Sequence, residues 1–304
     1  TDNFTIGNGS NAVAVSHATY DPAINIAGNF TISASAGTFT KSDTGAVITL
    51  KPAGTKTWTD NTATAQDMGV VVVGSGSSTP KINLGSNVKV TSLTIDSAHE
   101  FDMSSYTMTL TGSGAGSSRP FIATGTFTPS SGTVVYTGTS ATEIESTSYN
   151  HLTLSPAGTP TYTLGSAGSQ TINTNNFTIG DGSNAVAVNH ATYDPAINVA
   201  GHLAISAGVG TFTKSDAGAI ITLKPANTKT WTDSTGVDIG VVTIGSGSGL
   251  PNVGLSTNVK VTSLTIDAAH QFSMSSRTLT LTGNGTVFTP TGTFTPGTGT
   301  VDFT

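Results

Sequence analysis

NFTIGNGSNAVAVSHATYDPAINIAGNFTI, residues 3–32, decides how the chain is read. Apolar side chains alternate with polar ones: Phe4 with Ile6, Val13 with Val15, Ile24 with Ile26, Phe30 with Ile32. A period of two puts one set on a single face of a strand and leaves the other face to water. Between these runs stand GNGSN and Asp21-Pro22, which turn a chain rather than extend it. The pattern continues in Ile48 with Leu50, Val88 with Val90, Leu93 with Ile95, Phe101 with Met103, Met108 with Leu110, and Val134 with Tyr136. No segment carries a helical period. Ser140 to Ser148, the nearest to one, is short and β-branched and reads as strand or loop.

The stretch from Asn3 to Asp60 returns at Asn176 to Asp233, shifted by about 173 positions, with roughly four-fifths of its residues identical. NVKVTSLTID (Asn87 to Asp96) returns at Asn258 to Asp267, and GTFTP (Gly125 to Pro129) at Gly292 to Pro296. The expected organisation is a β unit over residues 1–137, a β-rich connector over 138–173, and a second unit over 174–304. Because the text begins and ends in mid-pattern, it reads as an excerpt of a longer repetitive polypeptide.

Composition narrows the class. Charged residues are 9% of the chain, far below the roughly 25% of ordinary globular domains. Threonine, a strand former that tolerates water, is abundant, so hydroxylated outer faces are expected. With a net charge of -6 and only Arg119 and Arg277 as guanidinium groups, nucleic acid is not expected as a partner. There is no Cys, hence no disulfide and no thiolate metal site. No apolar run is long enough to span a bilayer. Sparse charge and abundant Thr, Ser, Asn and Gly point to the cell surface. Sequons at Asn3, Asn8, Asn29, Asn176 and Asn284 are compatible with glycosylation there.

Strands of about five residues, following one another every six to twelve, fit two all-β architectures. One is a right-handed parallel β-helix, a solenoid whose coils of roughly twenty residues stack inward-facing side chains. The other is a pair of antiparallel β-sandwiches joined by the connector, which could be lent to a neighbour as an extra strand. Short strands, glycine-rich corners and the lack of hairpin dipeptides favour the solenoid.

LTIDSAHEFDMSSYTMTLTG (Leu93 to Gly112), GTFTPSSGTVVYTG (Gly125 to Gly138) and YNHLTLS (Tyr149 to Ser155) resemble the strand repeats of very large bacterial and archaeal surface proteins. These are the Thr-, Gly- and Asn-rich adhesins and the filament or sheath proteins. The resemblance implies a cell-surface location, a β-helical or β-rich fold, and a structural or adhesive role. The calcium-binding Gly-Gly-x-Gly-x-Asp run is missing, so calcium has no motif behind it.

Residues with chemistry are few. His17 and Asp21, repeated as His190 and Asp194, lack the further ligands of a zinc site and read as a turn. Asp96, His99, Glu100 and Asp102 form the densest polar group. Paired carboxylates would suit a polysaccharide hydrolase or lyase, but the second copy has Gln271 and Ser273 in place of Glu100 and Asp102. A solvated corner is expected. Trp58 and Trp231, in identical TKTWTD strands, stack on a glycan or pack in the core, with packing favoured. GNGSN (Gly7 to Asn11), GDGSN (Gly180 to Asn184) and GSGSG (Gly245 to Gly249) read as glycine turns, no helix following to make a phosphate loop. Asp181 is the one turn carboxylate among them. Lys41, Lys51 and Lys56 and their copies offer amines for isopeptide links to Asn, with no acid singled out to drive them.

The expectation is a structural subunit of an extracellular filament, sheath or surface layer, its main partner itself, with no catalytic centre and no cofactor. An adhesin stalk binding surface glycans is the alternative, and a β-helical polysaccharide-degrading enzyme the third.

Overall fold

The computed structural model describes residues 1–34, 38–74, 80–245 and 252–304. Across them the strand ladders are parallel, and helix is confined to one 3-10 turn, Gly116–Ser118. The chain forms two compact units, Thr1–Thr139 and Ser140–Thr304. Strands of the connector, Thr142–Ile144, His151–Leu154 and Thr161–Leu164, belong to the second of these.

In the first unit one sheet runs through Phe4–Ile6, Phe30–Ile32, Thr55–Asp60, Lys81–Leu84, Glu100–Asp102 and Thr126–Thr128. A second runs through Ile24–Ile26, Val47–Leu50, Val70–Val73, Ser92–Ile95 and Phe121–Ala123. The third side is built by Ala14–Ser16 with Thr38–Thr40, then by Val88–Val90, Thr107–Leu110 and Thr133–Tyr136. Neighbouring strands come from successive coils, so paired residues lie 19 to 28 positions apart. This is a parallel β-solenoid. The antiparallel sandwich is ruled out, because its strands would pair by hairpin return and the observed registers run the same way on every side.

The second unit repeats the plan. Thr171–Thr174, Ala196–Val199, Ile220–Leu223, Val241–Ile244, Ser263–Ile266 and Phe288–Pro290 form one of its sheets. Another contains His151–Leu154, Asn176–Ile179, Leu203–Ile205 and Lys229–Asp233.

Parallel register sets like above like. Ile24, Ile48, Val71, Leu93 and Phe121 form one inward column, and Ile26, Leu50, Val73 and Ile95 the next. Most are essentially inaccessible to water. Each such aliphatic chain stabilises the fold by about 2 kcal/mol relative to exposure. The alternate residues face out, and one ladder reads Asn173, Asn198, Thr222, Thr243, Thr265, Thr289. Its first two members bond amide to amide, Asn198 Nδ2 donating to Asn173 Oδ1 at 2.8 Å.

Corners are where the backbone is most constrained. A Cβ on Gly125 would lie 2.3 Å from the Asp96 carbonyl oxygen and 2.5 Å from that of His99. Gly292 meets Asp267 and His270 at the same distances. The same corner holds Ala98 at φ 65° and Ala269 at φ 67°, left-handed conformations that cost an L side chain energy. Two opposite results are therefore expected from thermal or denaturant unfolding. Ala98→Gly stabilises by about 0.5–1 kcal/mol, whereas Gly125→Ala destabilises by about 2 kcal/mol or more because backbone must move.

Candidate functional site

The tryptophans lie inside the coils. Trp58 is 1% exposed and Trp231 0%. Trp58 stacks on Phe30, with centroids 5.8 Å apart and planes 20° from parallel, in a column of Phe4, Phe30, Trp58 and Leu84. Trp231 sits between Leu203 and Leu255. Neither ring offers a face to a sugar, and each indole Nε1 is buried without a hydrogen-bond acceptor. Strand alternation explains this, since in TKTWTD the indole falls on the same side as the buried Asp60 or Asp233.

His17 and His190 are buried at corners. Each Nε2 donates to a proline carbonyl, Pro22 at 2.7 Å and Pro195 at 2.8 Å, which leaves the Nδ1 lone pair enclosed and unpartnered. Asp21 and Asp194 hold the same corners at φ 44° and 46°. One imidazole and one carboxylate fall short of the three or four ligands zinc takes. Among the described residues no group of three or more His, Asp or Glu is arranged to hold a metal ion.

In the acidic group, His99 Nδ1 lies 2.9 Å from the Ser97 carbonyl and closes its own turn. Asp102 pairs with Lys81 at 2.9 Å and accepts from Ser104 N–H at 2.8 Å and Ser130 Oγ at 2.7 Å. Burial acts to raise the Asp102 pKa, but those donors outweigh it and hold the carboxyl below its ordinary range. The second copy has Asn252 at the place of Lys81 and Ser273 at the place of Asp102. Both charges disappear together, as they should where either alone would be left partly buried.

GNGSN and GDGSN are side-chain-closed turns. Asn8 Oδ1 accepts from the N–H groups of Ser10 and Asn11, and Asp181 Oδ1 from those of Ser183 and Asn184. The Asn184 and Ser183 N–H bonds lower the Asp181 pKa. GSGSG lies, apart from Gly245, outside the described residues.

Two arrangements were not legible in the sequence. The first is a clamp present in both units. Lys41 Nζ reaches Asp67 Oδ2 at 2.6 Å and Thr91 Oγ1 at 2.7 Å, while Thr111 Oγ1 donates to the same Asp67 oxygen at 2.6 Å. Lys214, Asp238, Thr262 and Thr282 repeat it. Burial raises the Asp238 pKa, but Lys214, the Thr282 hydroxyl and the Gly240 N–H overcome it and leave the group lowered. The clamp's chemistry is cohesion across coils up to 50 residues apart in sequence.

The second arrangement is a corner ladder. Asn3 Oδ1 accepts the Asn29 N–H at 2.7 Å, and Asn29 Oδ1 accepts that of Thr57 at 2.9 Å. In the second unit Asn176 accepts from His202, whose Nδ1 accepts from Thr230. The sequon asparagines Asn3, Asn29 and Asn176 thus brace backbone from coil to coil, as Asn8 braces its own turn. A surface cleft of about 540 Å³ lies in the second unit, lined by residues including Asp233, Thr235, Asn258 and Arg277. Beside it the loop after Asp233 is two residues shorter than the loop after Asp60, and it lacks a counterpart of Gln66. Gln66 N–H donates to Asp60 Oδ2, whereas Asp233 Oδ2 is buried without a partner.

Comparison of the chain with protein-family models, with curated proteins and with solved structures finds no match. The class that fold and repeats define is a tandem-repeat β-solenoid protein.

Two measurements check the polar contacts. Asp102→Ser alone is expected to cost about 1–2 kcal/mol, and adding Lys81→Asn to recover at least half of it in a double-mutant cycle. Stability against denaturant is expected to decline towards acid in two stages. Burial lowers the pKa of His190, against the opposing Pro195 bond and Asp194 charge, and burial also lowers that of His151. The unfolded chain therefore takes up their protons first, and stability falls below about pH 6.5. Asp102 and Asp238, depressed in the fold, add a second fall below about pH 4. His190→Gln should flatten the first stage.

Proposed function

We propose that this chain is a structural repeat module of an extracellular filament, sheath or surface layer, built from copies of itself through strand edges or stacked coils. The observation that carries the reading is the solenoid. Its interior is a set of apolar columns, and its sides are hydroxyl and amide ladders. Such a coil propagates its own template, because each edge offers the next coil the same donors, acceptors and apolar column. Mechanical resistance then comes from ladders running the length of each unit and from the Lys41 and Lys214 clamps that tie coils together. No cofactor enters this role, and the outer faces are suited to solvent at a cell surface.

A glycan-binding adhesin stalk is the second reading. What favours it is the cleft at Asp233, Thr235, Asn258 and Arg277, whose hydroxyl, amide and guanidinium groups suit a polyhydroxylated ligand. The two readings part in one experiment. Sedimentation velocity and negative-stain microscopy over rising protein concentration are expected to give linear polymers that lengthen with concentration. A species that stays monomeric at every soluble concentration, together with glycan-array hits lost on Arg277→Ala, would replace the first reading by the second.

A further inference from the structure

The duplicated units bury the same side chains to different extents, and the difference lies on one face. In the second unit Phe177 is 2% exposed, Val186 0%, Val188 1% and Ile197 0%. Their counterparts Phe4, Val15 and Ile24 are half-buried in the first unit, and Val13 is 37% exposed. The largest contrast is at a tyrosine. Tyr20 is 90% exposed, whereas its copy Tyr193 is half-buried.

What covers the second unit's face is the connector. Leu152 and Leu154 pair with Phe177 and Ile179, Tyr162 with Val188, and Ile172 with Ile197. The Ala187 and Ala196 N–H groups donate to the carbonyls of Pro160 and Gln170 at 2.9 and 3.0 Å. Tyr193 Oη donates to Glu143 Oε1 at 2.5 Å. Gly165 leaves room for this close approach, since a Cβ there would meet Pro195 at 3.2 Å and Tyr193 at 3.3 Å. In the first unit, Phe4–Ile6, Ala14–Ser16 and Ile24–Ile26 carry the same sequence features and are each paired with a strand on one side only, Thr1 alone bonding the Asn25 carbonyl and the Ala27 N–H on the other side of the last.

We propose that the face formed by Phe4, Val13, Tyr20 and Ile24 is a docking surface for a β-coil of the connector's kind, supplied by another copy of the repeating unit. That coil brings a leucine strand over Phe4 and Ile6 and a carboxylate that accepts the Tyr20 hydroxyl. The match is specific at one point. Backbone edges and apolar columns would accept many strands, but the tyrosine asks for an acid at one position, and Glu143 is where the connector carries it. This inference deepens the self-assembly reading and rests on it for the source of the coil.

The test places a second copy of residues 138–173 directly ahead of Thr1 in the full chain, the same junction that Asn173 makes with Thr174. Amide exchange at Phe4–Ile6 and Ile24–Ile26 is expected to slow by about tenfold or more, towards the rates of Asn176–Ile179 and Ala196–Val199. Tyr20 should lose most of its reactivity to nitration, and the fusion whose added connector carries Glu143→Gln should regain part of it. Unchanged exchange in a fusion whose own connector strands are protected would overturn the proposal. Protection of Tyr20 in the concentrated unfused chain but not in the fusion would also overturn it, assigning the face to the terminal coil of a second copy. Polymers in which Tyr20 stays reactive would sink this surface and leave the self-assembly reading standing. A protected fusion whose parent never polymerises would do the reverse.

Discussion

A parallel coil can close on the next only if each inward side chain finds a side chain beneath it that it can pack against. The hydrogen-bond ladder imposes this, because it fixes which atoms lie opposite, about 4.8 Å away, on every side at once. A polar residue entering an inward column loses its water and needs a partner from its own loop, as Asp60 finds in the Gln66 N–H; an apolar one in an outward ladder is merely exposed. Hence the columns Ile24, Ile48, Val71, Leu93 and Ile172, Ile197, Ile221, Val242, Leu264 are unbroken, while the outward ladders mix Thr, Asn, Ser, Val and Ala.

The same constraint explains how the two units have diverged. A substitution that keeps its bond across coils is free, as when Asn29 becomes His202 and its ring nitrogen still accepts the next coil's N–H. Where the contact itself is lost, both ends change together, as Lys81 and Asp102 do when they become Asn252 and Ser273. The clamp of Lys41, Asp67, Thr91 and Thr111 is unchanged at all four places in the second unit. It joins more than two coils, so any single replacement would orphan several partners. The solenoid thus makes coupling between distant sequence positions a local matter of neighbouring rungs.

Period-two alternation and glycine corners made the strands legible, because both signals are local, and they favoured the solenoid over the sandwich without fixing it. The duplication was legible as text. Yet the connector, set apart by occurring once, packs as ordinary coils of the second unit, since its strands HLTL and TYTL satisfy the same inward and outward rule. The candidate site was less legible. The Lys41 clamp is drawn from residues 26 to 50 positions apart, with no motif to mark it. The burial of Trp58 follows from alternation only once the inward face of its strand is known.

By itself the amino-acid sequence determined that this protein is all-β, that it is a duplicated unit with a connector, and that its strands show water one polar face, because periodicity and repetition are properties of neighbours in the chain. Only the tertiary structure decided that the sheets are parallel, that the tryptophans stack inside, and that one set of side chains is covered in one unit and bare in the other. Each of those depends on which coil lies beneath, a relation between residues 19 or more positions apart that no short window of sequence contains.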